Sequence, residues 1–259
     1  MTLIEHFHEY GWVRVPRAFS SEAAAAMREA VWQALADDGI RRDDPRTWTL
    51  ERPTGLQRLK EHPAFHTAGS PSVLAAIGAV LAGQAYEMPK NWGALFVAFP
   101  TRDAWSIPAS GWHIDAKYTS ALTQPRGVKT LALFGDVAPR SGGTLFVSGS
   151  HRLIHRWFQE NPPPPGARSA DMRKLLQLHP YIRDLHTGGD PEERIARFMG
   201  RAEISDGIPL QVVECTGSAG DMFLLHPLTL HVAATNSGHF PRFLLSGGVT
   251  TDMWGWAKP

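Results

Sequence analysis

Asn91-Trp92-Gly93-Ala94-Leu95-Phe96-Val97-Ala98-Phe99-Pro100 is where the sequence changes character. Trp92 to Phe99 is apolar, aromatic and β-branched, and it stops at a proline, as a strand does. Similar short runs follow at Trp112–Tyr118, Val128–Val137, Thr144–Val147, Leu210–Cys215, Met222–Leu225, His231–Ala234 and Phe243–Thr250. Gly, Pro, Asn or Ser clusters separate most of them. Many short strands without intervening helices predict an antiparallel sandwich or barrel rather than a parallel α/β sheet.

Upstream the pattern is helical. Residues 3 to 10 place Leu3, Ile4, Phe7 and Tyr10 at helical spacing, and Trp12-Val13-Arg14-Val15 then alternates up to Pro16. Ser20 or Ser21 caps a helix that runs through Ala36. A further helix has Ser70 as N-cap, Pro71 at its first position and Gly83 just past its end. Downstream, residues 151 to 209 interrupt the strands. They hold the stiff tract Asn161-Pro-Pro-Pro-Pro-Gly166 and two helical patterns, near Asp171–Leu178 and Pro191–Phe198. An interruption this long is either a lid over a site or a surface elaboration that only packs. The expected organisation is one domain over 1–259: a mainly helical flank (1–90), barrel strands (91–150 and 210–259) and the 151–209 insertion.

Bulk properties narrow the function. The chain has 26 Lys+Arg against 25 Asp+Glu, with no basic patch or acidic tail, which argues against a nucleic-acid partner. One cysteine, Cys215 in a strand-like run, rules out an internal disulfide framework and fits a reducing compartment. The first nine residues mix acids and histidines with no apolar core, unlike a signal peptide, and the apolar run Val73–Ala82 is too short for a bilayer. We expect a cytoplasmic protein without a membrane partner.

Gly111-Trp112-His113-Ile114-Asp115 carries the chemistry. On a strand, residues i and i+2 share a face, so His113 and Asp115 aim at one point while Ile114 points to the opposite layer. A His-x-Asp pair arises by chance in a chain this size and means little alone. With His231 as a third donor it becomes two imidazoles and a carboxylate, which suits non-haem Fe(II) with open coordination positions. Arg242 follows His231 by eleven residues, and a short hairpin would set the two side by side. No acid lies between Asp221 and Asp252, so an inward Arg242 has no local partner. A bound carboxylate would supply one, through the guanidinium fork. The bland alternative turns Arg242 to solvent or to a distant acid. His226 is a second histidine nearby, and we choose His231 because it alone keeps the spacing to Arg242.

The order of these motifs resembles the phytanoyl-CoA dioxygenase family of Fe(II)/2-oxoglutarate oxygenases. It runs His-x-Asp, then Ser141-Gly-Gly-Thr-Leu-Phe-Val-Ser-Gly-Ser-His151, then Gly220-Asp221 with His226, then His231 and Arg242. The resemblance implies a double-stranded β-helix, a cupin-like jelly-roll with flanking helices. It implies His113, Asp115 and His231 as iron ligands, and Arg242 as the residue gripping the distal carboxylate of 2-oxoglutarate. The expected reaction consumes O2 and 2-oxoglutarate, hydroxylates a small-molecule substrate and releases succinate and CO2. Related halogenases replace the carboxylate ligand by a small residue, and Asp115 is retained here. Two positions depart from the family: Val232-Ala233-Ala234 follows His231 where Gly-Ser-Gly is common, and Ser148 stands where a proline is usual. Trp112 and Lys117 flank the motif and are expected to border the substrate pocket. The competing reading is a jelly-roll metalloprotein that does not use 2-oxoglutarate, such as an isomerase, a hydrolase or a ligand-binding module. Arg242 separates the two, because without a diacid a buried guanidinium has no purpose.

Overall fold

A computed structural model describes residues 1–115, 127–164 and 167–251. The helical flank forms as its caps dictate. In α1 (Leu3–Tyr10) Thr2 and Glu5 make a reciprocal capping box, and Gly11 ends the helix at φ 77°. After β1 (Trp12–Val15), Ser20 caps α2 (Ser21–Asp37) by accepting from the Ala23 N–H. The short α3 (Pro63–His66) precedes α4 (Pro71–Val80), whose N-cap is Ser70 and whose first residue is Pro71.

The strands follow: β2 (Ala94–Ala98), β3 (Gly127–Leu133) and β4 (Thr144–Ser148). Four helices come next, α5 (Ser150–Glu160), α6 (Ser169–Leu176), α7 (Pro180–Leu185) and α8 (Pro191–Phe198). The chain returns to strands with β5 (Glu203–Ser205), β6 (Ile208–Glu214), β7 (Met222–Leu225), β8 (His231–Ala233) and β9 (Arg242–Thr250). They form two antiparallel sheets, one ordered β1-β7-β3-β9-β2 and the other β5-β6-β4-β8.

Alternation along the strands divides the apolar residues into three layers. Val13, Leu95, Val97, Val128, Leu224 and Leu245 face outward from the five-stranded sheet and pack on Phe7, Met27, Val31, Leu35 and Ile77 of the N-terminal helices. Leu131, Leu133, Phe223, Leu225 and Leu244 face inward and meet Phe146 between the sheets. Leu145, Val147, Leu210, Val212 and Val232 leave the far side of the four-stranded sheet and pack on Leu153, Phe158, Ile182 and Phe198. The helices of the 151–209 insertion therefore cover the outer face of the four-stranded sheet.

Three local expectations change. The strand expected over Trp112–Tyr118 is reduced, in its described part, to one bridge at His113, and residues 116–126 lie outside the described residues. The hairpin expected between His231 and Arg242 is absent: β8 pairs with β4, whereas β9 pairs with β3 and β2, so the chain crosses from one sheet to the other. Asn236, fully buried, fixes that crossing by donating to Ala98 O (2.9 Å) and Phe240 O (2.8 Å). Its side-chain oxygen also accepts from the Gly238 N–H, so its local hydrogen bonds turn the chain where a two-residue hairpin would have closed it. Finally, α5, α7 and β5 carry no signal we read in the sequence. No helix among the described residues is long and apolar enough to cross a membrane.

Candidate metal centre

His113 and His231 face each other across a single antiparallel bridge. Each backbone N–H donates to the other's carbonyl, at 3.0 and 2.9 Å, and the ring centroids lie 4.3 Å apart. The two rings are oriented alike. His113 Nδ1 donates to Gly111 O at 2.8 Å and His231 Nδ1 donates to Thr229 O at 2.9 Å, each a carbonyl two residues back. Both imidazoles therefore keep their proton on Nδ1 and present a bare Nε2 to the same point.

Asp115 completes that point. Its Oδ1 is 3.7 Å from His113 Nε2 and its Oδ2 is 3.6 Å from His231 Nε2. One donor atom from each of the three residues falls within 4.8 Å of the others, close enough for one cation. Burial holds the His231 imidazole neutral by driving its pKa down to about 3. Burial works to raise the Asp115 carboxyl, but the His231 ring, the Lys129 ammonium and the His113 ring beside it outweigh that and hold its pKa down. Two imidazole nitrogens and one carboxylate, all aimed at one point, are the donor set that first-row divalent metals favour.

The centre opens into a cavity of about 560 Å³ between the two sheets. Thr144, His231 and Ala233 supply one wall; Lys129, Leu131, Arg242, Leu244 and Ser246 supply the other. Arg52, Thr54 and Gln57 from the segment after α2, with Phe96 of β2, form the rim. No described residue of the 151–209 insertion lines this cavity.

Arg242 is the anomaly in that wall. It is 3% exposed, and its Nε and Nη1 have no hydrogen-bond partner. No carboxylate among the described residues pairs with it, and burial pulls its pKa down to about 10. A guanidinium in this state lacks an anion that the fold does not supply.

The remaining sequence-derived positions fall elsewhere. Trp112, expected at the pocket border, is 1% exposed on the far side of its strand segment and donates from Nε1 to Pro108 O at 2.8 Å. Alternation explains the difference: a chain that turns His113 and Asp115 inward must turn Trp112 and Ile114 outward, into the layer under the insertion helices. Lys117 lies outside the described residues. His226 packs 4.9 Å from the His151 ring and accepts from the Leu228 N–H, away from the cavity. Sequence reasoning missed Lys129, whose ammonium pairs with Asp115 Oδ2. Its signal was a lone lysine in the otherwise apolar-and-threonine run Val128–Leu133.

Comparisons with known proteins agree with this architecture. No protein with a curated description matches the sequence. Among solved structures, AviO1 from Streptomyces viridochromogenes Tue57 is similar over 99% of this chain and 96% of its own, with TM-score 0.56 and 18% identity. HygX from Streptomyces hygroscopicus, solved with nickel and 2-oxoglutarate bound, is similar over 98% of this chain and 88% of its own, with TM-score 0.53 and 15% identity. SnoN, a non-heme alpha ketoglutarate dependent epimerase from nogalamycin biosynthesis, is similar over 98% and 83%, with TM-score 0.51 and 17% identity. At these identities the likeness is one of fold. The sequence profile of the family described as phytanoyl-CoA dioxygenase matches residues 7–244, from α1 to β9, and the chain belongs to that family.

Proposed function

We propose that this protein is a non-haem Fe(II)/2-oxoglutarate-dependent oxygenase that hydroxylates a small-molecule substrate, built as one domain on a double-stranded β-helix. The observation that carries the reading is the pairing of a convergent His113–Asp115–His231 donor set with the partnerless guanidinium of Arg242 in one cavity. The residues fit the cofactor pair. The three donors suit iron, and the orphaned Nε and Nη1 of Arg242 suit the far carboxylate of a short diacid. When bound, iron with 2-oxoglutarate and O2 supplies the oxidising power to break an unactivated C–H bond, with succinate and CO2 as coproducts.

The chain's own residues prepare that chemistry. His113 and His231 hold their Nε2 lone pairs in place through the carbonyls of Gly111 and Thr229, so little reorganisation is needed to bind the metal. Asp115 brings the one negative charge. Arg242 orients the diacid from the deep side and fixes which end meets the metal. His113 has the most exposed of the three ligand side chains, 40% against 5% for His231, so the substrate approaches from its side. Leu131, Leu244 and Phe96 keep the cavity wall apolar and limit water.

Other outcomes of the same centre are open to the family fold, and SnoN is an epimerase. Hydroxylation is the reading we favour because it needs no residue beyond those described. The buried Cys215 is consistent with a cytoplasmic enzyme. The test is anaerobic addition of Fe(II) and then 2-oxoglutarate to the apoprotein. A visible charge-transfer band that needs both additions, and that is missing in His231→Ala, is the expected result. Succinate formed on admitting O2 extends it to turnover. No band and no 2-oxoglutarate binding would shift the reading to a metalloprotein that does not use the diacid.

A further inference from the structure

Lys129 stands on the inner face of β3, with its side chain 12% exposed and its ammonium on Asp115 Oδ2. Asp115 is the only carboxylate among the described residues lining the cavity, and it already serves the metal position. We infer that the substrate carries an anionic group, a carboxylate or its equivalent, which the cavity takes up at the Lys129 end. This rests on the oxygenase reading above.

The argument is one of charge. Lys129, Arg242 and a divalent metal bring four positive charges to one buried cavity. Asp115 and the 2-oxoglutarate dianion bring three negative ones, so one positive charge is left without a counter-ion. Arg52 at the rim does not change the balance, because Glu51 accompanies it at 3.3 Å. Leaving a charge buried and uncompensated is costly, and an anion on the incoming substrate removes the cost.

Geometry says where that anion goes. In the β3–β9 register Lys129 lies opposite Gly248, six residues along the strand from Arg242. At strand rise that is about 20 Å between the two backbone positions, so the two side chains enter the cavity from different ends. If Arg242 takes the distal end of the cosubstrate, Lys129 is left beside the metal, where the reacting molecule arrives. If Lys129 took the cosubstrate instead, Arg242 would need the second anion. Either assignment requires one anion beyond those of the cosubstrate. The apolar wall of Leu131, Leu244 and the half-exposed Phe96 then suits an apolar body behind the acid group.

The experiment uses full-length protein loaded anaerobically with Fe(II) and 2-oxoglutarate. Size-graded acid and amide pairs (propionate with propionamide, benzoate with benzamide, phenylacetate with phenylacetamide) are titrated against the visible band and against thermal midpoint. For at least one pair the acid should bind roughly tenfold or more tightly than its amide. Lys129→Met should erase that preference and Lys129→Arg should keep it. No acid preference in any pair, with the band present, overturns the inference and leaves the oxygenase reading intact. So does a preference that survives in Lys129→Met. Absence of the band in the wild type removes the oxygenase reading and the charge imbalance with it. The acid–amide comparison in wild-type protein stands even if a Lys129 variant does not fold.

Discussion

Replacing Arg242 by methionine should make the free protein more stable and its cosubstrate complex weaker. Arg242 is 3% exposed with Nε and Nη1 unpartnered. Burial drags its pKa down to about 10, which corresponds to a charging cost of ~3 kcal/mol in the absence of an anion. Methionine fills most of the same volume without the charge. Imperfect filling of the site returns ~1 kcal/mol of that gain, leaving a net stabilisation of ~1–2 kcal/mol. For a chain of this size that is a rise of roughly 3–6 °C in thermal midpoint. With metal present, 2-oxoglutarate should stabilise the wild type in proportion to its saturation. The variant loses a bidentate charge-assisted contact, and its affinity should fall on the order of a hundredfold. Differential scanning fluorimetry with and without 2-oxoglutarate, and anaerobic calorimetry for the affinity, read both arms. A variant that melts below the wild type without ligand, or that keeps the full 2-oxoglutarate shift, would refute the idea that Arg242 waits for a diacid.

The pH dependence of stability should carry the mark of His151. Its ring is buried, Nε2 donates to His8 O at 3.0 Å, and burial pushes its pKa down to about 4. Below pH 6.5 the unfolded chain takes up a proton that the folded chain refuses until about pH 4, so this contribution is intact above 6.5 and is lost as pH falls. The drop should total ~3 kcal/mol, and His226, shifted the same way, adds to it. Urea unfolding at pH 7 and at pH 4.5 measures it, and His151→Gln should flatten the slope; an unchanged slope would contradict the assignment. Asn236→Ala removes the bonds to Ala98 O and Phe240 O at the crossing between sheets. It should cost ~2–3 kcal/mol and weaken 2-oxoglutarate binding through Arg242, whereas lost stability with unchanged binding would show that Arg242 is positioned by something else. Trp112→Phe leaves Pro108 O without its indole donor. It should cost ~1 kcal/mol while leaving the KM for 2-oxoglutarate within threefold, and a larger change in KM would put Trp112 back at the pocket.

The antiparallel strand architecture and the grouping of His113 with Asp115 were legible because both depend on local alternation, whereas His231 was reached through its spacing to Arg242. A strand that buries one face writes that face into every second residue, which is why Val13, Val15 and the β9 residues Arg242, Leu244 and Ser246 could be assigned to faces without coordinates. The 3.6-residue spacing and the caps at Ser20 and Ser70 did the same for the helices. What was not legible was pairing. Nothing in the eleven-residue interval from His231 to Arg242 says whether the second strand folds back on the first or crosses to the other sheet. Long-range bonds decide it, among them Asn236 to Ala98 O and the Thr101 N–H to Asn236 O. Lys129 was missed for a different reason. It carries the signal that exposed Arg242, a cation at an inward position of an apolar strand, but no neighbouring motif drew attention to it. Trp112 was misplaced by proximity in sequence, which on a strand means the opposite face.

Side-chain size, more than any motif, decides which end of the sandwich is hollow. At the β1–β7 end, Trp12 lies 5.2 Å from Phe146 and 6.1 Å from Phe223, and its Nε1 reaches Ser148 Oγ on the other sheet at 3.1 Å. Three aromatic rings close that end. At the β9–β2 end the inward positions alternate large and small, Arg242, Leu244 and Phe96 with Ser246, Ala94 and Ala98, and Ala233 faces them from β8. No aromatic cluster bridges the sheets there, and the space left between the larger side chains is the cavity. Both outer faces are sealed by helices, so a charged side chain turned inward at this end can reach only that gap. Asp115, Lys129, His231 and Arg242 therefore converge on one space because the packing leaves them no other. A site assembled by such exclusion needs its ligands to neutralise it: the metal between the imidazoles and the carboxylate, one diacid for Arg242, and one further anion for Lys129.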